Sequence, residues 1–519
     1  MKKIGLGLLA GIAMVAIAGP AEAKWLRADT DSFIIYSESN EKSLRDFAEN
    51  LQRFDTTLRL LFNVKTPGEE SKLPIYLVPA ANDVAELATG SRSAPVAGFY
   101  RQDRDGSFAL SFRQNSGSGG IADTSAAQQV LFHEYSHHFM KRHLRAAFPA
   151  WLIEGFAEYY STVDFDKKGH AMIGRPVYRR AYGLLQMPKI PAEKLLFEQP
   201  RAMRNSGQTD VYYGRAWILT HMLMHSPTRG DQVNRYTNAI NAGTDARQAA
   251  SDAFGDLALL DKDLNRYIQG KLSYRTTRAP VPVSANIRIA PVPSDEDAVI
   301  MARLERLNAR GDAARFTKAR DALRALAAAE PANADAQFEL AAAEWDMDRD
   351  VRDLAAMRSA LDKVLAAKPD HVRANVLLGR LLLDQLREKG EDDPAAWREA
   401  RKPIQLANRT DPNDAVPLYA YFDSFLAEGK RPSEMAIKAL ERAFVLTPEN
   451  IEMRVAYAFA LANQGEFDPA VRLAKTVAFD PHDNGRGEAM LERLEAIRER
   501  RAGATGGDTK AAADSGGTD

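Results

Sequence analysis

Residues 131–140 read LFHEYSHHFM. On an α-helix, positions i and i+4 share a face, so His133 and His137 can aim their imidazoles at one point while Glu134 projects beside it. Two imidazoles and a carboxylate in this order are the donors of a metal site with a proton acceptor next to it. With nine histidines in 519 residues, chance alone writes such a pattern in about one chain in a hundred. Two ligands do not complete a catalytic zinc, which takes three protein groups and leaves a position for water.

A third donor stands a short way downstream, in PAWLIEGFAEYY (149–160). Pro149 suits a helix start, and Glu154 and Glu158 lie one turn apart on a single face. The intervening KRHLRAAF (141–148) is short enough to fold this helix back on the first. By spacing alone either glutamate could complete the set. On these residues, His133-Glu134-x-x-His137 followed by Trp151-Leu152-x-Glu154-Gly155-Phe156-Ala157, the chain resembles the gluzincin metallopeptidases, which include thermolysin and the aminopeptidase-N type.

The resemblance implies Zn²⁺ as cofactor, Glu134 as general base and Glu154 as third ligand. Glu158 would be the carboxylate that holds a ligand histidine. It also implies a downstream tyrosine on the oxyanion. In DVYYGRAWILTHML (210–223) the aminopeptidase register selects Tyr212, with Ala216 four residues on and Tyr213 turned about 100° away. Both could equally be ordinary tyrosines at a helix start. Sixteen residues separate His137 from Glu154, a tighter connection than in aminopeptidases, and their G-x-M-E-N segment is absent. The sequence therefore fits an endopeptidase better than an aminopeptidase, with FALSF (108–112) expected as an edge strand for the substrate.

Around these motifs, FIIYS (33–37), LPIYLV (73–78), VAGFY (96–100) and FALSF are β-rich, and helical periodicity marks about 39–61, 124–144, 150–162 and 211–225. His138 points away from His137 and falls outside the site. His221 and His225 repeat the i, i+4 spacing without an acid and read as a packed helix. The expected fold is α+β: a thermolysin-like zincin domain at 24–278 with a small mixed sheet and a helical subdomain. A proline-rich linker is expected at 279–300, then an all-α solenoid at 301–500. There Pro331, Pro369, Pro412, Pro448 and Pro481 recur at spacings of 38, 43, 36 and 33, the period of stacked helix pairs. Gly465, Ala470 and Pro481 match the turn, packing alanine and closing proline of a tetratricopeptide repeat. An irregular helical bundle is the alternative. Residues 501–519 lack packing side chains and are expected to be disordered.

Residues 1–23 have a lysine pair, a short apolar run and an A-x-A site, and read as a cleaved secretory signal. The expected location is periplasmic or secreted, with no stable membrane span after cleavage. No cysteine is present, which excludes thiol nucleophiles and disulfides. A net charge of −1 gives no reason to expect nucleic acid. Two function classes remain: an exported zinc metallopeptidase acting on peptide or protein, with repeats that bind a partner or the substrate, and a catalytically weak adaptor acting through those repeats.

Overall fold

The computed structural model describes residues 24–513, apart from 95, 104, 114–125, 310 and 482–484, and excepting the side chains of 103 and 502–513. The signal-like residues 1–23 lie outside the described residues. Its N-terminal part is built on a six-stranded sheet. The first five strands are β1 (Leu26–Asp29), β2 (Phe33–Ser37), β3 (Leu73–Val78), β4 (Phe99–Asp103) and β5 (Gly106–Phe112). The sixth is a closing strand, Arg288–Pro291, and the order is β4-β5-β3-β2-β1-closing strand. β3 runs parallel to β2 and β5, and the remaining pairs are antiparallel.

Strand alternation sorts the side chains onto two buried faces. Phe33, Ile35, Ile75, Leu77 and Ala109 join the core shared with helices α1 (Glu41–Leu61), α3 (Ala126–His143) and α4 (Ala150–Ser161). There Phe54 of α1 stacks on Phe132 of α3 with centroids 3.9 Å apart. Tyr36, Tyr76, Val78, Phe108 and Leu110 face the other way. They are covered by α2 (Ala81–Thr89) and by Ile300 and Leu304 of the helix Ser294–Asn308.

Two expectations need correction here. FALSF is not an edge strand: β5 is flanked by β4 and β3, and the edge belongs to β4. The proline-rich stretch 279–300 is extended but is no free linker. Residues 288–291 pair with β1, Val292 donates its amide to the Trp25 carbonyl at 2.9 Å, and the helix from Ser294 completes the sheet's second face. The strand's branched Ile289 and the apolar Val292 supply what the prolines conceal.

From Ser294 onward the chain forms five helix pairs and a last helix, Arg486–Ala513, which runs into the stretch expected to be disordered. Successive pairs pack on one another, as stacked helix pairs would. The turns at Pro331, Pro369, Pro412 and Pro448 work the same way: the residue two after the proline caps the next helix. Asn333, His371, Asp414 and Asn450 accept from Ala336, Ala374, Val416 and Met453 amides, among others, the Asn and Asp caps contributing about 1 kcal/mol each.

The array curls back on the N-terminal part. The β4–β5 hairpin enters it: Arg373 donates to the Asp105 carbonyl at 2.9 Å, and Arg380 to its carboxylate at 2.8 Å. At the far end Arg142 of α3 donates to Glu449 at 2.7 Å, Arg454 to the Lys141 carbonyl at 2.9 Å, and Lys141 pairs with Asp480. Among the described residues no helix is long and apolar enough to cross a membrane.

Candidate metal centre

Helix α3 sends Phe132, Tyr135 and Phe139 into the core, which turns His133, Glu134 and His137 toward a cleft. Helix α4 is buried along its whole length and lies against α3. The connection between them is tied down by Asn241, which accepts from the Ala147 amide and donates to the Ala147 carbonyl, both at 2.9 Å. The short 16-residue spacing is thereby accommodated.

The three expected donors converge. His133 Nε2 and His137 Nε2 are 3.1 Å apart, and Glu154 Oε2 is 3.5 Å from the first and 3.4 Å from the second. Glu158, also fully buried, sits 3.4 Å from His133 Nδ1, the nitrogen turned away from the other two donors. Arg179 and Arg180 donate to its oxygens at 2.8 and 2.6 Å. Burial pushes the Glu158 carboxyl up, but Arg179, Arg180 and His133 outweigh it and hold it down at about 2.

Glu134 accepts from the Tyr100 amide of β4 at 3.1 Å. That contact needs the edge strand to lie close on α3, and Gly98 permits it: a Cβ there would come within 2.3 Å of Val130 Cγ1. The Tyr100 hydroxyl meets His138 Nδ1 at 3.0 Å. His138, outside the donor set as expected, thus anchors the strand from below. Burial first, and Arg142 behind it, lower the His138 pKa to about 4 against the pull of Glu449.

Tyr212 is a correction. It is fully buried and donates to the Glu198 carbonyl at 2.9 Å, so its hydroxyl is directed into the core. Tyr213 faces the cleft instead, with its ring 6.3 Å from that of His133 and the Arg180 guanidinium 4.9 Å from its centroid. Helix Ser206–His225 packs along α4, and the residue it presents to the cleft is Tyr213, one position after the residue that the aminopeptidase register selects. A Cβ on Gly155 would come within 2.2 Å of Thr220 Oγ1 and 2.5 Å of the Ala216 carbonyl. The E-G-F-A glycine therefore serves contact with that helix rather than with α3.

His221 is packed as expected, bonded to the Tyr267 hydroxyl at 2.7 Å and the Gly174 carbonyl at 2.9 Å, while His225 meets the Tyr159 hydroxyl. The cleft itself, about 980 Å³, is walled by β4, α3, Arg179, Arg180 and Tyr213, and on its far side by Ile451, Asp480 and Arg486 of the repeats. Sequence reasoning missed these last three, because nothing local in a repeat helix signals what it is folded against.

No family model matches the chain, and no curated protein does. Solved structures with some likeness include TTC0263, a thermophilic TPR protein in Thermus thermophilus, at 18% identity and TM-score 0.31, covering 39% of this chain and 98% of that one. A crystal structure of MamA gives 16% and 0.24 over 38% of this chain and 95% of the other. A second crystal structure of MamA protein gives 21% and 0.24 over 34% and 90%. Likeness at that level bears on no residue of the cleft.

Proposed function

We propose that the chain is a zinc-dependent peptidase. The observation that carries this reading is the triangle of His133 Nε2, His137 Nε2 and Glu154 Oε2, with sides of 3.1, 3.4 and 3.5 Å. Donors about 2.0–2.1 Å from a tetrahedral ion stand roughly 3.3–3.4 Å from one another. The donor set, two imidazoles and one carboxylate, is that of zinc hydrolases. Zinc held by these residues would polarise the scissile carbonyl and make water nucleophilic at neutral pH.

The remaining work falls to the chain. Glu134 takes the proton of the attacking water on its carboxylate and passes it to the leaving amine. The Tyr100 amide keeps that carboxylate turned into the cleft. Glu158, clamped by Arg179 and Arg180, fixes the His133 ring so that Nε2 faces the triangle. Tyr213 donates its phenolic proton toward the oxygen on which charge grows. With the Tyr100 amide turned away from β5, strand alternation turns the Gln102 backbone groups the same way, and a substrate peptide can pair there. The substrate is a peptide or unfolded protein, and the setting is the exported one expected from residues 1–23.

The test is zinc content and turnover of the mature chain on a diverse peptide mixture, with sequenced products deciding endo- from exopeptidase action. About one equivalent of zinc, retained in Glu134→Gln while turnover falls at least a hundredfold, supports the reading. Unchanged turnover in Glu134→Gln would end it.

A second reading, an adaptor acting through the repeats, has its own observation. A surface cavity of about 540 Å³ lies on the repeats away from the triangle, lined by Ile404, Leu418, Tyr421 and Met435, the last 65% exposed. Another protein could dock there. Less than about half an equivalent of zinc, with no peptide cleaved, would favour this reading.

A further inference from the structure

The space beside the triangle continues past β4. A second cavity, of about 940 Å³, is lined by the turns within the first two helix pairs, from Gly311 to Phe316 and from Trp345 to Arg352. Gln102 borders both cavities, and Ile451 of the first adjoins Glu452 of the second. The two cavities thus adjoin at Gln102 of the edge strand. Space of this size accepts a drug-sized ligand, on the order of 300–1,000 Å³.

We propose that this turn-lined rim is an exosite for the part of a polypeptide substrate that extends beyond the scissile bond; the proposal rests on the peptidase reading. Three observations select that occupant. The route from the triangle to the rim follows β4, whose outer side pairs with no other strand among the described residues and suits an extended chain. The inner surface of the middle repeats is already taken by the β4–β5 hairpin through Asp105, so an incoming chain is left the rim. The rim's chemistry also fits a side-chain anchor. Phe316 and Met347 form a buried apolar floor, Val351 stands 55% exposed above it, and the Arg352 guanidinium lies 4.5 Å over the Trp345 ring. An apolar or aromatic residue of an unfolded chain would cover Val351 and share that stacked pair.

Tyr100 to Gln102 spans about 7 Å of strand, roughly two residues of extended chain, so a substrate must run more than about two residues past the cleaved bond to enter the rim. Two fluorogenic peptides with the same scissile sequence, five and twenty residues long, separate the sites. In the wild-type full-length chain the long peptide should show kcat/KM at least tenfold above the short one. Val351→Asp, an exposed change, and Trp345→Ala should erase that advantage while the short peptide, which ends before the rim, is cleaved as before. In parallel, the labelled twenty-residue peptide is titrated into the Glu134→Gln chain by fluorescence anisotropy, and Val351→Asp should weaken its binding about tenfold. Equal kcat/KM for both peptides in the wild type, or binding indifferent to both rim substitutions, overturns the exosite. If neither peptide is cleaved the peptidase reading falls, and the anisotropy arm still decides the rim.

Discussion

Buried phenols usually find a hydrogen-bond partner, and Tyr212 and Tyr213, adjacent in sequence, meet different demands. Tyr212 spends its hydroxyl on the Glu198 carbonyl, inside a fully packed core. Tyr212→Phe should cost about 1 kcal/mol, seen as a lower denaturation midpoint, with the catalytic constant unchanged. Tyr213 stands against the Arg180 guanidinium at the cleft wall, 6.3 Å from the His133 ring. Tyr213→Phe should lower the catalytic constant by about ten- to a thousandfold with zinc content and midpoint intact. If the two effects were exchanged, the phenol at the oxyanion would be Tyr212 after all. The glutamates divide in the same manner. Glu154 lies within 3.5 Å of both histidine donors, whereas of the two Glu158 meets His133 and is held by two arginines. Glu154→Ala should therefore abolish tight zinc binding, and Glu158→Ala should weaken it by roughly ten- to a hundredfold, as equilibrium dialysis would measure.

What positions those residues is the packing of three helices, and Gly155 is its tightest point. Gly155→Ala would drive a methyl into Thr220 Oγ1 and the Ala216 carbonyl. Side chains can move but the carbonyl cannot, so α4 would shift and carry Glu154 with it. The expected cost is about 1–3 kcal/mol together with weaker zinc affinity, and adding Thr220→Ala should recover only part of either. Full recovery would show that the backbone contact is unimportant. The same geometry explains which parts of the site were legible in the sequence. The i, i+4 spacing of His133 and His137, and the turn between Glu154 and Glu158, are properties of single helices and are visible in a string of letters. The selection of Tyr213 depends on how helix Ser206–His225 is rotated about its axis, which Gly155, Ala216 and Thr220 decide together across 65 positions. Likewise FALSF carries the better β pattern, yet the edge fell to β4, and Gly98 just before it lets that strand reach α3. Strand quality is local, whereas position in a sheet is not.

At the scale of the whole chain, the repeats complete the N-terminal part instead of trailing from it. Their junction is ionic and buried: Glu69 joins Arg59, Arg142 and His143, and Arg142 continues to Glu449. Burial pushes the Glu69 carboxyl up, but His143, Arg142 and Arg59 outweigh it and hold it well below the usual carboxylate range. A group depressed in the folded state stabilises above its unfolded pKa of about 4.3 and loses that contribution as pH falls below it. Thermal midpoints should thus drop more steeply between pH 5 and 3 in the wild type than in Glu69→Gln, and parallel curves would deny Glu69 this part. The composition of 279–300 hid the second junction, because prolines suggest a tether while the structure uses residues 288–291 as a strand and the next helix as a lid. A chain cut after Arg278 would leave β1 unpaired on one side and strip Val292, Ile300 and Leu304 from the face carrying Trp25, Tyr36, Tyr76, Phe108 and Leu110. Each such side chain contributes about 1.5–3 kcal/mol when buried, and marginal stability is only about 5–15 kcal/mol in total. The cut chain should aggregate and hold no zinc. A chain cut after Asn308 keeps the strand and the covering helix, and so should stay more soluble. It still lacks Arg373 and Arg380, whose grip on Asp105 steadies the hairpin that carries Tyr100 to Glu134. Any zinc it binds should come with turnover well below that of the full chain. Measuring solubility, zinc and turnover of both side by side separates the lid from the clamp, and a soluble, zinc-bound chain ending at Arg278 would show that neither is needed.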